Sequence, residues 1–181
     1  TWNQDGVLDG ANHITLGGYL AYITTRDKLV ILSLEDPMAP KLLNTVPLNG
    51  GTASFLQFRY LFVTDADGLK VVDVTHPEQA FVTPNNTIAL DDAKNVFLAR
   101  TYAYVAAGSD GLVIVDAERP TALKHYQTVK DGLVDVSDVI VATTNASLFA
   151  YVADGVGGLK VLQLTSPDLQ PKFYGFRPEP N

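Results

Sequence analysis

One phrase occurs four times along the chain, and nothing else in the sequence constrains the fold as tightly. It consists of an aromatic and β-branched pair, a polar turn, an aliphatic run and a proline. The first copy is Tyr22-Ile23, then Leu29-Val30-Ile31-Leu32, then Pro37. The second is Phe62-Val63, Asp65-Ala66-Asp67-Gly68, Leu69-Lys70-Val71-Val72-Asp73 and Pro77. The third is Tyr104-Val105, Gly108-Ser109-Asp110-Gly111, Leu112-Val113-Ile114-Val115-Asp116 and Pro120. The fourth is Tyr151-Val152-Ala153-Asp154-Gly155, Gly158-Leu159-Lys160-Val161-Leu162 and Pro167. The leading leucines at 29, 69, 112 and 159 and the prolines at 37, 77, 120 and 167 both step by 40, 43 and 47 residues. A period of that size marks a repeat architecture in which each unit needs its neighbours to bury its faces.

Each unit reads as four short strands. The aromatic pair, the Asp and Gly turn and the aliphatic run form a hairpin, with Gly68, Gly111 and Gly158 supplying left-handed backbone at its turn. The proline ends the third strand because it has no amide to donate. A fourth strand follows, as in Lys41 to Val46 and Lys124 to Val129. The first strand precedes the pair: His13 to Leu16, Ala53 to Phe58, Asn95 to Ala99 and Val139 to Ala142. Both parities of Leu112-Val113-Ile114-Val115 are apolar, as a strand covered on both faces requires. The expectation is an all-β chain: a β-propeller of four four-stranded blade repeats, alone or as part of a larger propeller. The repeats fall at about 11–50, 51–91, 92–135 and 136–177 of one domain or segment spanning 1–181, with 178–181 as a tail or linker.

At these residues the chain resembles the LVIVD-repeat β-propellers of bacterial and archaeal surface or exported proteins. Leu112 to Asp116 spells the signature. Tyr102-Ala103-Tyr104-Val105 with Gly108 to Gly111, and Phe149 to Gly155, fit the stretch that leads into it. Leu69 to Asp73 matches with Lys70 in place of an apolar residue, and Leu29 to Ser33 and Leu159 to Gln163 lack the terminal Asp. The resemblance covers about residues 11 to 176. It implies a propeller in an extracellular, cell-surface or periplasmic protein and brings no catalytic residues with it. It also implies an alternative role, as an accessory propeller beside a multihaem cytochrome.

Composition narrows function by exclusion. The 181 residues are 46% hydrophobic and 18% charged, the balance of a folded domain. With 13 basic and 20 acidic residues the net charge is -7, which argues against a nucleic-acid or anionic-membrane surface. The absence of cysteine excludes disulfides, cysteine-ligated metals, a thiol nucleophile and covalent haem attachment to this chain. The longest apolar runs are strand-sized, so no direct membrane insertion is expected. The chain opens on Thr1, not Met, and is read as trimmed, so a missing signal peptide says nothing about export.

The candidate chemistry is sparse. Asp65-Ala66-Asp67-Gly68 resembles the start of a calcium loop, but His76 stands where the bidentate Glu would be, so the reading is a carboxylate-capped turn. Asp73 and Asp116 read as turn caps too. His76 belongs to a turn and His125 to an outer strand. His13 alone lies in a first strand, which lines a propeller's channel. Its repeat column is His13, Ala53, Asn95 and Asp138, and the column one residue earlier is Asn12, Thr52, Lys94 and Ser137. His13, Lys94, Asn95 and Asp138 are therefore the candidate ligand-binding residues at one channel mouth. No catalytic residue, metal ligand or cofactor is assigned. Asn85-Asn86-Thr87 and Asn145-Ala146-Ser147 fit a glycosylation tripeptide.

The functional expectation is a non-catalytic binding or scaffolding propeller, its partners being other protein chains or further blades of the same polypeptide. The alternative is a lyase or hydrolase using His13, Asn95 and Asp138. Four blades are few for a closed ring, so the expectation is an open array whose end faces something else must cover. Thr1 to Gly10 is read as the outer strand of a preceding blade, and Phe173 to Phe176 as the outer strand of the fourth.

Overall fold

The computed structural model describes residues 1–144, 147–165 and 177–180. They form four antiparallel sheets in chain order. Blade one is β1 (His13–Gly17), β2 (Leu20–Thr24), β3 (Lys28–Ser33) and β4 (Lys41–Pro47). Blade two is β5 (Ala53–Gln57), β6 (Tyr60–Asp65), β7 (Gly68–Asp73) and β8 (Phe81–Val82), with β9 (Ile88–Ala89) also on β7. Blade three is β10 (Asn95–Ala99), β11 (Tyr102–Ala106), β12 (Leu112–Asp116) and β13 (Lys124–Val129). Blade four is β14 (Asp138–Thr144), β15 (Ser147–Ala153) and β16 (Leu159–Thr165). The expected outer strand at Phe173 to Phe176 lies outside the described residues, as does Asn145.

The turn glycines have two jobs. Gly68 and Gly111 sit at φ 119° and 87°, where a side chain is strained. They also let the outer strand close over the hairpin: a Cβ would meet the Ile88 carbonyl at 2.1 Å and the Val129 carbonyl at 2.2 Å.

The aliphatic runs divide their side chains between two neighbours. Val113 and Val115 of β12 face blade two, sharing a core with Phe62, Leu69 and Val71. Leu112 and Ile114 face blade four, sharing a core with Val139, Ala150 and Val152. A third core joins blades one and two through Leu29, Ile31, Leu61 and Val63. Three interblade cores hold the four blades together. Among the described residues no core joins blade four to blade one.

Thr1 to Gly10 does not form the expected strand. Asn3 accepts the Leu8 amide and donates to Asp9, which winds the segment into tight turns. Its apolar residues Trp2, Val7 and Leu8 then pack on Ala21, Val30 and Leu32 of blade one. The segment is a cover on blade one, not a piece of another sheet.

Candidate functional site

The four inner strands β1, β5, β10 and β14 surround a cavity of about 490 Å³. His13, Asn95 and Asp138 all line it, as the repeat alignment expects. Thr15 and Ser54 line it too, and the sequence reading missed them. The signal was there for Thr15: it stands two residues beyond His13 on the same strand, hence on the same face. Phe55 and Phe97 form an aromatic wall, with ring centroids 4.9 Å apart.

The hydrogen bonds settle the state of His13. The Ser54 amide donates to its Nδ1 at 3.2 Å. A nitrogen that accepts an N–H carries no proton, so in the neutral ring the proton is on Nε2. Partial burial holds this imidazole below its ordinary value near 6.5, and the negative charge of Asp138 pulls the other way. Asp138 itself accepts its neighbour's amide, from Val139 at 2.8 Å. The cavity thus offers a fixed N–H donor, a carboxylate and an amide side chain between aromatic walls.

Lys94 is not among the residues lining the cavity. Its ammonium is drawn sideways to the carboxylates of Asp92 and Asp135, the latter on the approach to blade four. Two other members of its repeat column also turn sideways. Asn12 Nδ2 donates to the Gly51 carbonyl at 2.7 Å, stitching blade one to blade two. The Thr52 hydroxyl donates to the Ala93 carbonyl at 2.7 Å, stitching blade two to blade three. Ser137, the fourth member, bonds to Ala153 of its own blade. Asn12, Thr52 and Lys94, which look like a channel rim in the sequence, turn instead towards the next blade.

The remaining candidates have structural work. Asp65 accepts the Asp67 amide within its turn and the Asn49 amide on the approach to blade two. The Lys70 ammonium lies on both Asp65 and Asp67, which accounts for the charged residue inside the second aliphatic run. It also puts a cation where a calcium loop would hold its own. Asp73 and Asp116 cap turns through the amides of Thr75 and Glu118. His125 bonds to Thr128 on an exposed outer strand. Asn86 is buried and ties Thr83, Pro120 and Leu123 together across blades two and three. Among the described residues no three His, Asp or Glu stand close enough to hold a metal ion, and no helix is long and apolar enough to cross a membrane.

The second candidate site is the free face of blade four. In blade three, Tyr104, Leu112 and Ile114 face the next blade and are no more than 1% exposed. Their equivalents one repeat later are Tyr151, Leu159 and Val161, which are 36%, 71% and 50% exposed. Ile140, beside Tyr151 in the β14–β15 register, is 54% exposed. The chemistry of an interblade core is present on this face, and among the described residues no blade covers it.

Residues 91–131 match the LVIVD repeat family. No curated protein matches the chain. Among solved structures, the computationally designed Ika4 protein is similar over 89% of this chain and 95% of its own, with 12% identity and a TM-score of 0.60. BamB from Moraxella catarrhalis is similar over 84% of this chain and 44% of its own, with 12% identity and a TM-score of 0.61. A functionally unknown protein from Desulfotomaculum acetoxidans is similar over 84% of this chain and 57% of its own, with 12% identity and a TM-score of 0.66. The chain therefore spans about half the length of these two natural structures. At such identities the likeness is one of fold. Four sequential antiparallel sheets, packed face to face around a cavity, make the chain an all-β propeller array whose third blade matches the LVIVD repeat.

Proposed function

We propose that this chain is a non-catalytic binding and scaffolding propeller that engages other protein chains within a larger assembly. The observation that carries this is the free face of blade four. A face with Ile140, Tyr151, Leu159 and Val161 in water is a surface waiting for a protein, since fully burying one aliphatic side chain gains about 1.5–3 kcal/mol. The resemblance to exported LVIVD-repeat proteins supports an extracellular, cell-surface or periplasmic setting. The test is capture from a native extract by the wild-type chain and by Tyr151→Asp/Val161→Asp. Partners retained by the wild type and lost by a folded variant support the reading. Equal capture by both contradicts it.

A second reading has its own observation. The His13 Nε2–H and the Asp138 carboxylate share one cavity with Asn95, a donor and acceptor set suited to a small polar ligand. Nuclear magnetic resonance titration of the His13 ring with amino acids, monosaccharides and carboxylates tests it. Saturable shifts that vanish in Asp138→Ala support the channel site, and no shift with any of them removes it.

A further inference from the structure

We propose that the free face of blade four is closed by blade one of a second copy of this chain, joined head to tail. The proposal rests on the protein-binding reading of that face and names its partner.

The repeat itself identifies the complementary surface. In each seam present, one blade offers the face bearing its Tyr or Phe and the odd members of its aliphatic run. The next blade receives it. In blade four the receiving residues are Val139 and Val141 of β14, both buried against blade three. Their equivalents on β1 are Ile14 and Leu16, which are 58% and 63% exposed. Among the described residues, blade four thus presents an unused offering face and blade one a partly unused receiving face. Each is built to fit the other's kind.

The fasteners point the same way. Asn12 and Thr52 donate across their seams to the carbonyls of Gly51 and Ala93. Those carbonyls belong to the residue just before the next member of the column. Ser137 makes the bond within its blade that Thr52 also makes, to the equivalent strand, but among the described residues it has no bond across a seam. By the same rule its acceptor is the residue before Asn12, the Ala11 carbonyl, which the second copy supplies.

The N-terminal segment shapes the receiving face without closing it. Trp2, Val7 and Leu8 cover Ala21 of β2 and Val30 and Leu32 of β3, so the bare part of the receiving face is β1. Ile14 stays bare there, beside a cavity of about 490 Å³ lined by Leu8, Ala11, His13 and Ile23. Tyr151 is the large side chain of the offering face, as Tyr104 is in the core between blades three and four. With half a turn between blade one and blade four, as the proposal requires, two copies present two identical seams related by a twofold axis and close a ring instead of polymerising.

The test is the mass of the purified 181-residue chain, by sedimentation velocity over roughly a hundredfold range of concentration, where mass action exposes the equilibrium. The expected result is a rise from one chain mass to two. Tyr151→Asp and Ile14→Asp, each checked by circular dichroism for an unchanged fold, should each stay at one chain mass. Mixing the two variants pairs one sound offering face with one sound receiving face, so a weaker dimer should return. A dimer untouched by Ile14→Asp overturns the proposal, because blade four then pairs with itself. A wild-type monomer throughout also overturns it. In that monomer, a Tyr151 ring quenched by iodide leaves the protein-binding reading standing. A shielded Tyr151 means that the chain closes on itself and removes both.

Discussion

Replacing Thr52 by Val tests whether the polar column holds blades together. The Thr52 hydroxyl lies 2.7 Å from the Ala93 carbonyl, 2.8 Å from the Thr64 hydroxyl and 3.0 Å from the Thr64 carbonyl. Ala93 and Thr64 are buried, at 3% and 0% exposure, so water cannot freely replace the lost donor. Val keeps the shape of Thr and leaves no cavity; what goes is the bond across the seam. Losing one such bond and leaving its buried acceptor short should cost about 1–2 kcal/mol. For a chain of this size that is a fall in melting temperature of roughly 2–8 °C. Ser137→Ala is the matched control. Its hydroxyl makes one exposed bond within its own blade at 3.2 Å, so its cost should stay below about 0.5 kcal/mol. Thermal unfolding followed by circular dichroism, at concentrations where the chain is a single copy, measures both. Equal costs for the two variants, or no cost for Thr52→Val, would refute the reasoning.

Other outcomes follow from single residues. Gly111→Ala combines left-handed backbone with a Cβ that would sit 2.2 Å from the Val129 carbonyl, so it should destabilise by about 2 kcal/mol or more or detach β13, which amide exchange along β13 would show. Asp154→Ala strips the acceptor from the amides of Val134 and Asp135 at 2.7 and 2.8 Å and should cost about 2–4 kcal/mol in denaturant titration. Asp154→Asn keeps that acceptor while neutralising a carboxylate whose other oxygen is buried without a partner, so it should cost under about 1 kcal/mol; a loss as large as that of Ala would show that the charge matters. Phe58 is 94% exposed at φ 55°, so Phe58→Gly removes backbone strain and no burial; it should be neutral or stabilise by up to about 1 kcal/mol. For His13 the folded state holds less of the proton than the unfolded state, so the stability it contributes is whole above the unfolded value near 6.5 and is lost as pH falls from there towards the lower folded value. Removing the opposing charge with Asp138→Asn should push the His13 titration midpoint lower still, and a move upward on nuclear magnetic resonance titration would separate the two residues.

The fold was legible because its cause is written four times. Leu112 to Asp116 shows both parities apolar, and the structure divides those parities between two neighbouring blades. The column of His13, Asn95 and Asp138 was legible for the same reason: equivalent positions in a repeat converge on the axis. The neighbouring column misled, because residue type does not say whether a polar side chain points to the axis or along the rim. Asn12, Thr52 and Lys94 turn sideways, to carbonyls and carboxylates on the approach to the next blade. Thr1 to Gly10 misled for a different reason. Trp2 and Val7 suggested a strand, but the Asn3 side chain captures the Leu8 amide and bends the segment before it can pair. The open edge was expected from blade number alone; which residues form it depends on face assignments that only the strand register supplies.

The most direct test of a free face on blade four uses the chain's lack of cysteine. Leu112 and Leu159 occupy the same place in blades three and four, yet Leu112 is 0% exposed and Leu159 is 71% exposed. Leu112→Cys and Leu159→Cys each introduce a single thiol, whose rate of modification by a maleimide can be measured in dilute solution. The thiol at 159 should react nearly as fast as in the unfolded chain, while the thiol at 112 should be protected until the protein unfolds. Equal protection at both positions would mean that blade four is covered within the chain, and would contradict the account.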